Sequence, residues 1–324
     1  MSAAPAEVDA YRFTPADLNV GARRPGISAF MRIRDGAFSL EAAIRSHIRH
    51  FDEIVAVYNR CTDETPEILA RLAQEFPGRL RVWHYLPPVF PPGSTGHRTT
   101  PPDDPRSLVN YYNFALSRTR FSHATKLDDD HVAMGEATAR LVADISAGRL
   151  PTNEMACFSG LNLARDATGR LGILAREPFS GSGDIGIFPV TPETYFTHDP
   201  RFEIFRRPGL KRRFHSIVYW HLKYLKPGFG FANYDLAANP KSRYARRLVQ
   251  LQSEHAVDTS PAWAQGRPSG PGAWLAAHRL PAPERDRILH DRARAARALA
   301  ATPLETLLAR DPELALFLAI PDSA

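Results

Sequence analysis

The chain has 324 residues, 44% of them hydrophobic and 23% charged, the composition of an ordinary soluble globular protein, which excludes wholesale disorder. No apolar run approaches the ~18 residues that a membrane-spanning helix needs, and the opening MSAAPAEVDAYRF lacks the basic start and apolar middle of a signal peptide, so a cytoplasmic location is expected. A formal net charge of +6 is modest for a nucleic-acid partner, and none is expected; Cys61 and Cys157 are too few for a disulfide framework or a zinc cage.

Residues 1–24 read as an N-terminal extension. ISAFMRI (27–33) is a short apolar run between turn residues and predicts a buried strand. Leu40, Ile44, Ile48 and Phe51 then recur at helical spacing. EIVAVYN (53–59) is the second strand; Thr65-Pro66 starts a helix lined by Ile68, Leu69, Leu72 and Phe76, which Pro77-Gly78 stops; RLRVWHY (79–85) is the third strand. Right-handed crossovers join such a series into a parallel sheet covered on both faces, so the first half is α/β. Residues 87–105 hold seven prolines and form a long loop, expected to act as a lid. A helix carrying Leu108, Tyr111, Tyr112, Ala115 and Leu116 leads into a fourth strand, HATKL (123–127), which ends on Asp128, Asp129 and Asp130, where open α/β sheets bind ligands.

A helix over 136–147 is followed by an antiparallel pair, ACFSGLNLARD and LGILA, and by the glycine-rich approach FSGSGDIGIFPV, so the second half is mixed rather than doubly wound. One domain is expected over 25–240. Residues 241–324, rich in Ala, Arg and Leu, read as a helical appendage, with 260–272 as its flexible joint.

Adjacent carboxylates repel one another, so a strand end that keeps three of them ionised is stabilised by a cation or by hydrogen-bond donors. Oxygen ligands suit the hard ions Mg2+ and Mn2+, and a metal held by one or two protein carboxylates keeps positions open for substrate phosphates. The alternative is an acidic helix start, because Asp is favoured as an N-cap.

ISAFMRIRDGAFSLEAAIRSHIRHFDEIVAVYNRCTDETPEIL (27–69), with its turn Cys61-Thr62-Asp63-Glu64-Thr65, and the later Asp-Asp-Asp cluster together resemble the nucleotide-sugar-dependent glycosyltransferases of the GT-A fold, especially bacterial family 2-like members. That resemblance implies a GT-A-like mixed sheet flanked by helices and a divalent metal cofactor, Mn2+ or Mg2+. It also implies inverting transfer from a nucleotide-sugar donor to a glycan or lipid-linked acceptor in surface-polysaccharide assembly. It places Asp128 against the ribose and metal, and Asp130 on the ion bridging the diphosphate, with Asp129 beside them on the donor. Many members carry an acid at the end of the second strand; this chain has Tyr58-Asn59, and Asn59 takes that donor-side position. Arg32, at the end of the first strand, adds positive charge near the same crevice. Asp63 is read as a base-side contact or a helix cap. Gly181 and Gly183 let backbone approach the donor sugar, with Asp184 a sugar contact.

Deprotonation of the acceptor hydroxyl needs a carboxylate. Glu203, which resembles the acidic position before the family's acceptor-side helix, is the first candidate, and Asp199 the second. His221 in VYWHLKYLK is read either as a late metal ligand or as a packed core histidine, and His131 as a second possible ligand. The basic run Arg206, Arg207, Lys211, Arg212 and Arg213 is either a solvated face or a peripheral contact to an anionic membrane. Two other readings stay open: a sugar-nucleotide nucleotidyltransferase, which would favour a glycine-rich basic loop after the first strand, and a catalytically inactive binding module of the same fold.

Overall fold

The run Glu53–Tyr58 is buried at every position, as a strand covered on both faces must be. In the computed structural model, which describes residues 5–319 apart from 182, 184, 232–235, 238–239, 242, 254–255 and 267, that strand sits inside a large sheet. The first half runs β1 (Ala6–Val8), β2 (Arg24–Ile33), α1 (Leu40–Ile48), β3 (Glu53–Tyr58), α2 (Thr65–Glu75), β4 (Leu80–Tyr85), α3 (Thr95–Thr99), α4 (Leu108–Ser117), β5 (Phe121–Lys126), β6 (His131–Ala133) and α5 (Gly135–Ser146). The second half adds β7 (Glu154–Arg165), β8 (Leu171–Leu174), β9 (Phe179–Ser180), β10 (Gly186–Pro189), β11 (Tyr195–His198), β12 (Glu203–Arg206) and β13 (Lys211–His221). After these come α6 (Arg243–Ser253), β14 (Val257–Asp258), α7 (Pro271–Ala277), α8 (Glu284–Leu299), α9 (Leu304–Leu308) and α10 (Pro312–Ala319).

The main sheet has the order β1-β4-β3-β2-β5-β10-β7-β13-β6. Every pairing from β1 to β5 is parallel, β10 lies antiparallel between β5 and β7, β7 and β13 are parallel, and β6 closes the edge antiparallel to β13. This is the mixed α/β sheet flanked by helices that was expected from the sequence. Because β3 and β4 lie on one side of β2 and β5 on the other, the strand order reverses between β2 and β5, and it is at the carboxyl ends of strands flanking such a reversal that these sheets open a crevice. Residues from α1, α2 and α5 fill one face, and α4 with the β11–β12 hairpin fills the other.

Several features escaped sequence reasoning. The N-terminal extension supplies an edge strand, with Ala6 opposite Trp83. Ile288, Ala296, Leu304, Leu307 and Leu314 from the C-terminal helices share the hydrophobic cluster of β2 and β3. Within the stretch read as a flexible joint, the Trp263 ring is buried and meets Phe179 edge-on, an anchor that its polar neighbours did not suggest.

Two buried polar groups brace the sheet. Glu53, at the amino end of β3, is fully buried and accepts hydrogen bonds from Ser28 Oγ (2.8 Å), Arg120 N (2.6 Å), Arg120 Nε (2.8 Å) and Arg81 Nη1 (3.1 Å), so its charge ties β2, β4 and β5 together. His47 in α1 donates from Nδ1 to the Ala43 carbonyl at 2.9 Å, and burial lowers its pKa to about 3. It is therefore neutral in the folded protein, whereas unfolding lets it bind a proton below its ordinary pKa of about 6.5. The unfolded state binds more protons there, so stability falls as pH drops from about 6.5 towards 3, by up to about 1.4 kcal/mol per pH unit for this group. Urea midpoints between pH 7 and pH 5 will show a shallower pH slope in His47→Gln than in the wild type, whatever the variant's absolute stability.

Candidate active site

β5 ends at Lys126, and Asp128, Asp129 and Asp130 occupy the turn into β6, not a helix start: α5 begins only at Gly135, after Met134. The turn is held by Leu127 N donating to the Phe30 carbonyl (3.0 Å) and by Leu222 N donating to the Asp130 carbonyl (2.8 Å). The second bond brings in β13. Its register sets His221 opposite His131, so two imidazoles ninety residues apart converge on one carboxylate.

Asp130 Oδ1 lies 3.6 Å from His221 Nε2 and 3.9 Å from His131 Nε2, and one ligand atom from each of the three residues falls within 4.8 Å of the others. Cis ligands around an ion with ~2.1 Å bonds sit about 3 Å apart, so seating a divalent cation takes a closure of about 1 Å between Asp130 and each imidazole and at most about 2 Å between any two of the three groups. Both imidazoles are kept neutral, as metal ligation requires: burial lowers the pKa of His131 and takes that of His221 to about 3. Asn162, on β7, fixes the second ring. His221 Nδ1 meets Asn162 Oδ1 at 2.6 Å; since only a donor fits an amide oxygen, Nδ1 carries the proton and Nε2 is left with its lone pair towards Asp130. Behind His131 the Tyr219 ring stacks at 3.9 Å, and its hydroxyl donates to Ser180 Oγ at 3.0 Å. Replacing Asn162 with leucine is expected to weaken Mn2+ binding by about 10- to 100-fold, the usual cost of losing a group that orients a metal-bound histidine, with little change in fold. Calorimetric titration with Mn2+ measures it.

The other carboxylates already have internal counterions. Lys126 Nζ is 3.2 Å from Asp128, and Lys226 Nζ is 2.6 Å from Asp129 and 3.4 Å from Asp130 Oδ2. Burial opposes ionisation of Asp128, but the charges around it, Lys126 first, outweigh it and hold its carboxyl below the usual range. Burial opposes ionisation of Asp130 too, and the charges around it, Lys226 first, more than offset it. Asp129 behaves differently: burial, with the neighbouring Asp130 charge, pushes its pKa up to about 6 despite Lys226. Lys226 approaches Asp130 through Oδ2 while the histidines face Oδ1, so lysine and imidazoles address different oxygens of one carboxylate.

These groups line a cleft of about 1120 Å³ above the carboxyl ends of β2 and β5. Nine arginines and lysines line it against four carboxylates among the described residues, so despite the aspartates the cleft as a whole favours an anionic occupant. Arg32 lies flat over the Tyr112 ring, 3.1 Å from its centroid, and its Nε is buried without a hydrogen-bond partner. Glu203 opens β12 at the rim, with no helix following it as the family resemblance implied; its carboxylate has no ion pair or hydrogen bond among the described residues.

The remaining expected site residues divide. Asn59 lines the cleft but is occupied by structure: it donates to the Tyr85 and Pro87 carbonyls (2.6 and 2.7 Å) and so pins the start of the proline-rich loop. Asp63 accepts from Thr65 N (3.1 Å) and Ala37 N (2.9 Å), which ties two loops together away from the cleft lining. Asp199 closes a turn on Arg201 N (2.9 Å), and Arg201 also holds its pKa below the usual value. Beside Gly183 the space is filled by Ile288, 2.8 Å from where a Cβ would stand, so this glycine admits a helix; Gly181 is the one that lines the cleft. Asp184 lies outside the described residues. Of the basic run, Arg207 and Arg212 bind Glu284 of α8 at 3.0 and 2.7 Å. Sequence reasoning missed Asn162, Lys126 and Lys226; a lysine two residues before the aspartates was the one available signal.

No protein-family model matches the sequence, and no curated protein matches it. Solved structures similar to it include glucosyl-3-phosphoglycerate synthase from Mycobacterium tuberculosis in complex with Mg2+ and uridine diphosphate (16% identity, 48% of this chain and 50% of that one, TM-score 0.29). Another is TarS 1–349 of S. aureus (14% identity, 84% and 87%, TM-score 0.36). A third is 4-diphosphocytidyl-2C-methyl-D-erythritol synthase from Anaerococcus prevotii (13% identity, 71% and 85%, TM-score 0.27). The chain spans half the length of the first of these. Likeness at this level leaves the functional reading to rest on the site's own geometry. No helix among the described residues is long and apolar enough to cross a membrane.

Proposed function

We propose that the protein is an inverting, metal-dependent glycosyltransferase that moves a sugar from a nucleotide-sugar donor to a glycan or lipid-linked acceptor in surface-polysaccharide assembly. The observation that carries this reading is the convergence of Asp130, His131 and His221 on one point at the edge of a net-basic cleft. Asp130 and His221, with Asp128 on the donor side, would hold Mn2+ or Mg2+; bound there, the ion supplies Lewis-acid stabilisation of a departing diphosphate. Arg32, whose Nε has no protein partner, meets the same negative charge from the other side of the crevice. Glu203 accepts the acceptor hydroxyl's proton as that oxygen bonds to the anomeric carbon and the bond to the diphosphate breaks. Its free carboxylate at the rim, within the electrostatic reach of Lys126 and Tyr112, suits that role better than Asp199, which is already bonded to Arg201. With Arg213 paired to Glu154 at 3.4 Å, Arg206 and Lys211 are the part of the basic run without a carboxylate partner among the described residues and are left for an anionic membrane surface; if vesicle affinity does not weaken between low and high salt, that contact is wrong.

Thermal unfolding with UDP-, GDP- and CMP-linked sugars, each with and without Mn2+, tests the reading. Metal-dependent stabilisation by a sugar nucleotide supports it. Stabilisation by nucleoside triphosphates alone would replace it with nucleotidyl transfer, and no response to any nucleotide would leave a binding module.

A further inference from the structure

The opposite edge of the parallel sheet, where β2 to β5 begin, carries a second concentration of charge. Strands of about six residues set it ~20 Å from the aspartate turn. A cleft of about 600 Å³ opens there between the start of β2, the start of β4 and the end of α4, with Trp83 in its wall. Arg23, Arg24, Arg81, Arg118 and Arg120 line it. Two carboxylates stand against these five guanidinium groups. Asp17, in the lining, is bonded to Thr14 N (2.8 Å) and Tyr11 (2.9 Å); Glu53, beneath it, is shared between Arg81 and Arg120.

The arginines are therefore not neutralised by the fold. Arg23 donates from Nε and Nη1 to Leu18, Thr119 and Phe121, yet its Nη2 is buried with no partner. Burial lowers its pKa to about 10, with distant Glu53 the only opposing charge of note. Arg24 has the Phe121 ring beneath it, 4.8 Å away, and no carboxylate partner among the described residues. Arg118 uses Nε on Ser117 Oγ (3.2 Å) and packs over Tyr11 and Phe114, again without an acid among the described residues. A buried unmatched donor and adjacent uncompensated cations are costly unless a ligand satisfies them, and guanidinium forks match the paired oxygens of phosphate groups.

The geometry points to a second binding site in this cleft, for a ligand carrying two or more phosphate-type charges, gripped by Arg24 and Arg118 over the Arg23 and Arg81 guanidinium groups. It is independent of the reading given to the aspartate cleft. The same phosphate chemistry is available from a soluble diphosphate and from a phosphomonoester lipid headgroup.

The test is calorimetric titration with inorganic pyrophosphate in chelator-treated, low-salt buffer, using the full chain as wild type, Arg24→Gln/Arg118→Gln and Arg32→Gln. Both rim arginines are at least partly exposed, and the Arg118 carbonyl that receives Arg81 is untouched by the substitution. Thermal unfolding confirms that the double variant folds. The expected result is binding that weakens at least tenfold in the double variant and persists in Arg32→Gln. Trp83→Phe supplies a reading that does not depend on the double variant: it keeps the binding heat but loses the pyrophosphate-induced fluorescence change. In a parallel arm, co-sedimentation with phosphatidic-acid vesicles assigns the source: loss in the double variant there, with no pyrophosphate heat, gives the ligand as a lipid headgroup. Equal affinity of wild type and double variant in both arms overturns the site, as does pyrophosphate binding that vanishes only in Arg32→Gln.

Discussion

Replacing Asp130 with asparagine will cut donor turnover by about 1000-fold or more and remove measurable Mn2+ binding, while the protein stays folded. The substitution keeps size and one acceptor oxygen but deletes the charge on which both imidazoles converge. Lewis-acid stabilisation is worth several kcal/mol, and each 1.36 kcal/mol is about tenfold in rate, which sets the scale. Asp129→Asn is the control. Asp129 faces Lys226, and its raised pKa of about 6 already makes it the least anionic of the three, so its loss will cost far less ion affinity. Stopped assays and calorimetry decide: if Asp130→Asn keeps wild-type turnover and ion affinity, the carboxylate serves only to pair Lys226.

The largest stability effect is expected far along the chain. Asp311, between α9 and α10, accepts from the Gly135 amide at 2.8 Å and from Trp220 Nε1 at 2.7 Å; it is buried, and burial raises its pKa. Asp311→Ala leaves two buried donors unmatched. At about 1–3 kcal/mol for each orphaned group, the loss is about 3 kcal/mol or more in urea unfolding. Asp311→Asn, which keeps one acceptor, will lose roughly half of that. Because Trp220 precedes His221, Asp311→Ala will also weaken Mn2+ binding, an effect that a remote surface residue would not produce. An unchanged urea midpoint would show that the two donors find other partners.

What could be read in advance follows from where the information lies. The alternation of apolar runs and helical stripes from Ile27 to Leu127 is local, and the strands and helices there fall within a few residues of their expected limits. The acidic turn was legible because three adjacent carboxylates at a strand end violate ordinary patterning. The pairing of His131 with His221 was not, since it depends on a strand register between segments ninety residues apart, one of them the three-residue β6. The structural bonds of Asn59 and Asp63 were hidden for a related reason: polar side chains at strand ends satisfy loop amides and carbonyls as readily as they meet a ligand. Likewise the stretch 260–272 has the composition of a linker, and its composition does not disclose that Trp263 within it is buried.

Lys126 and Lys226 give the acidic turn a further property. With an ammonium group already against each of Asp128 and Asp129, the turn does not need a divalent ion to hold its shape. Under the proposed function, stripping the ion with a chelator is expected to silence the protein without unravelling it, and returning the ion to restore it: the dormant form would be a reservoir rather than a casualty, and scarcity of metal a reversible brake.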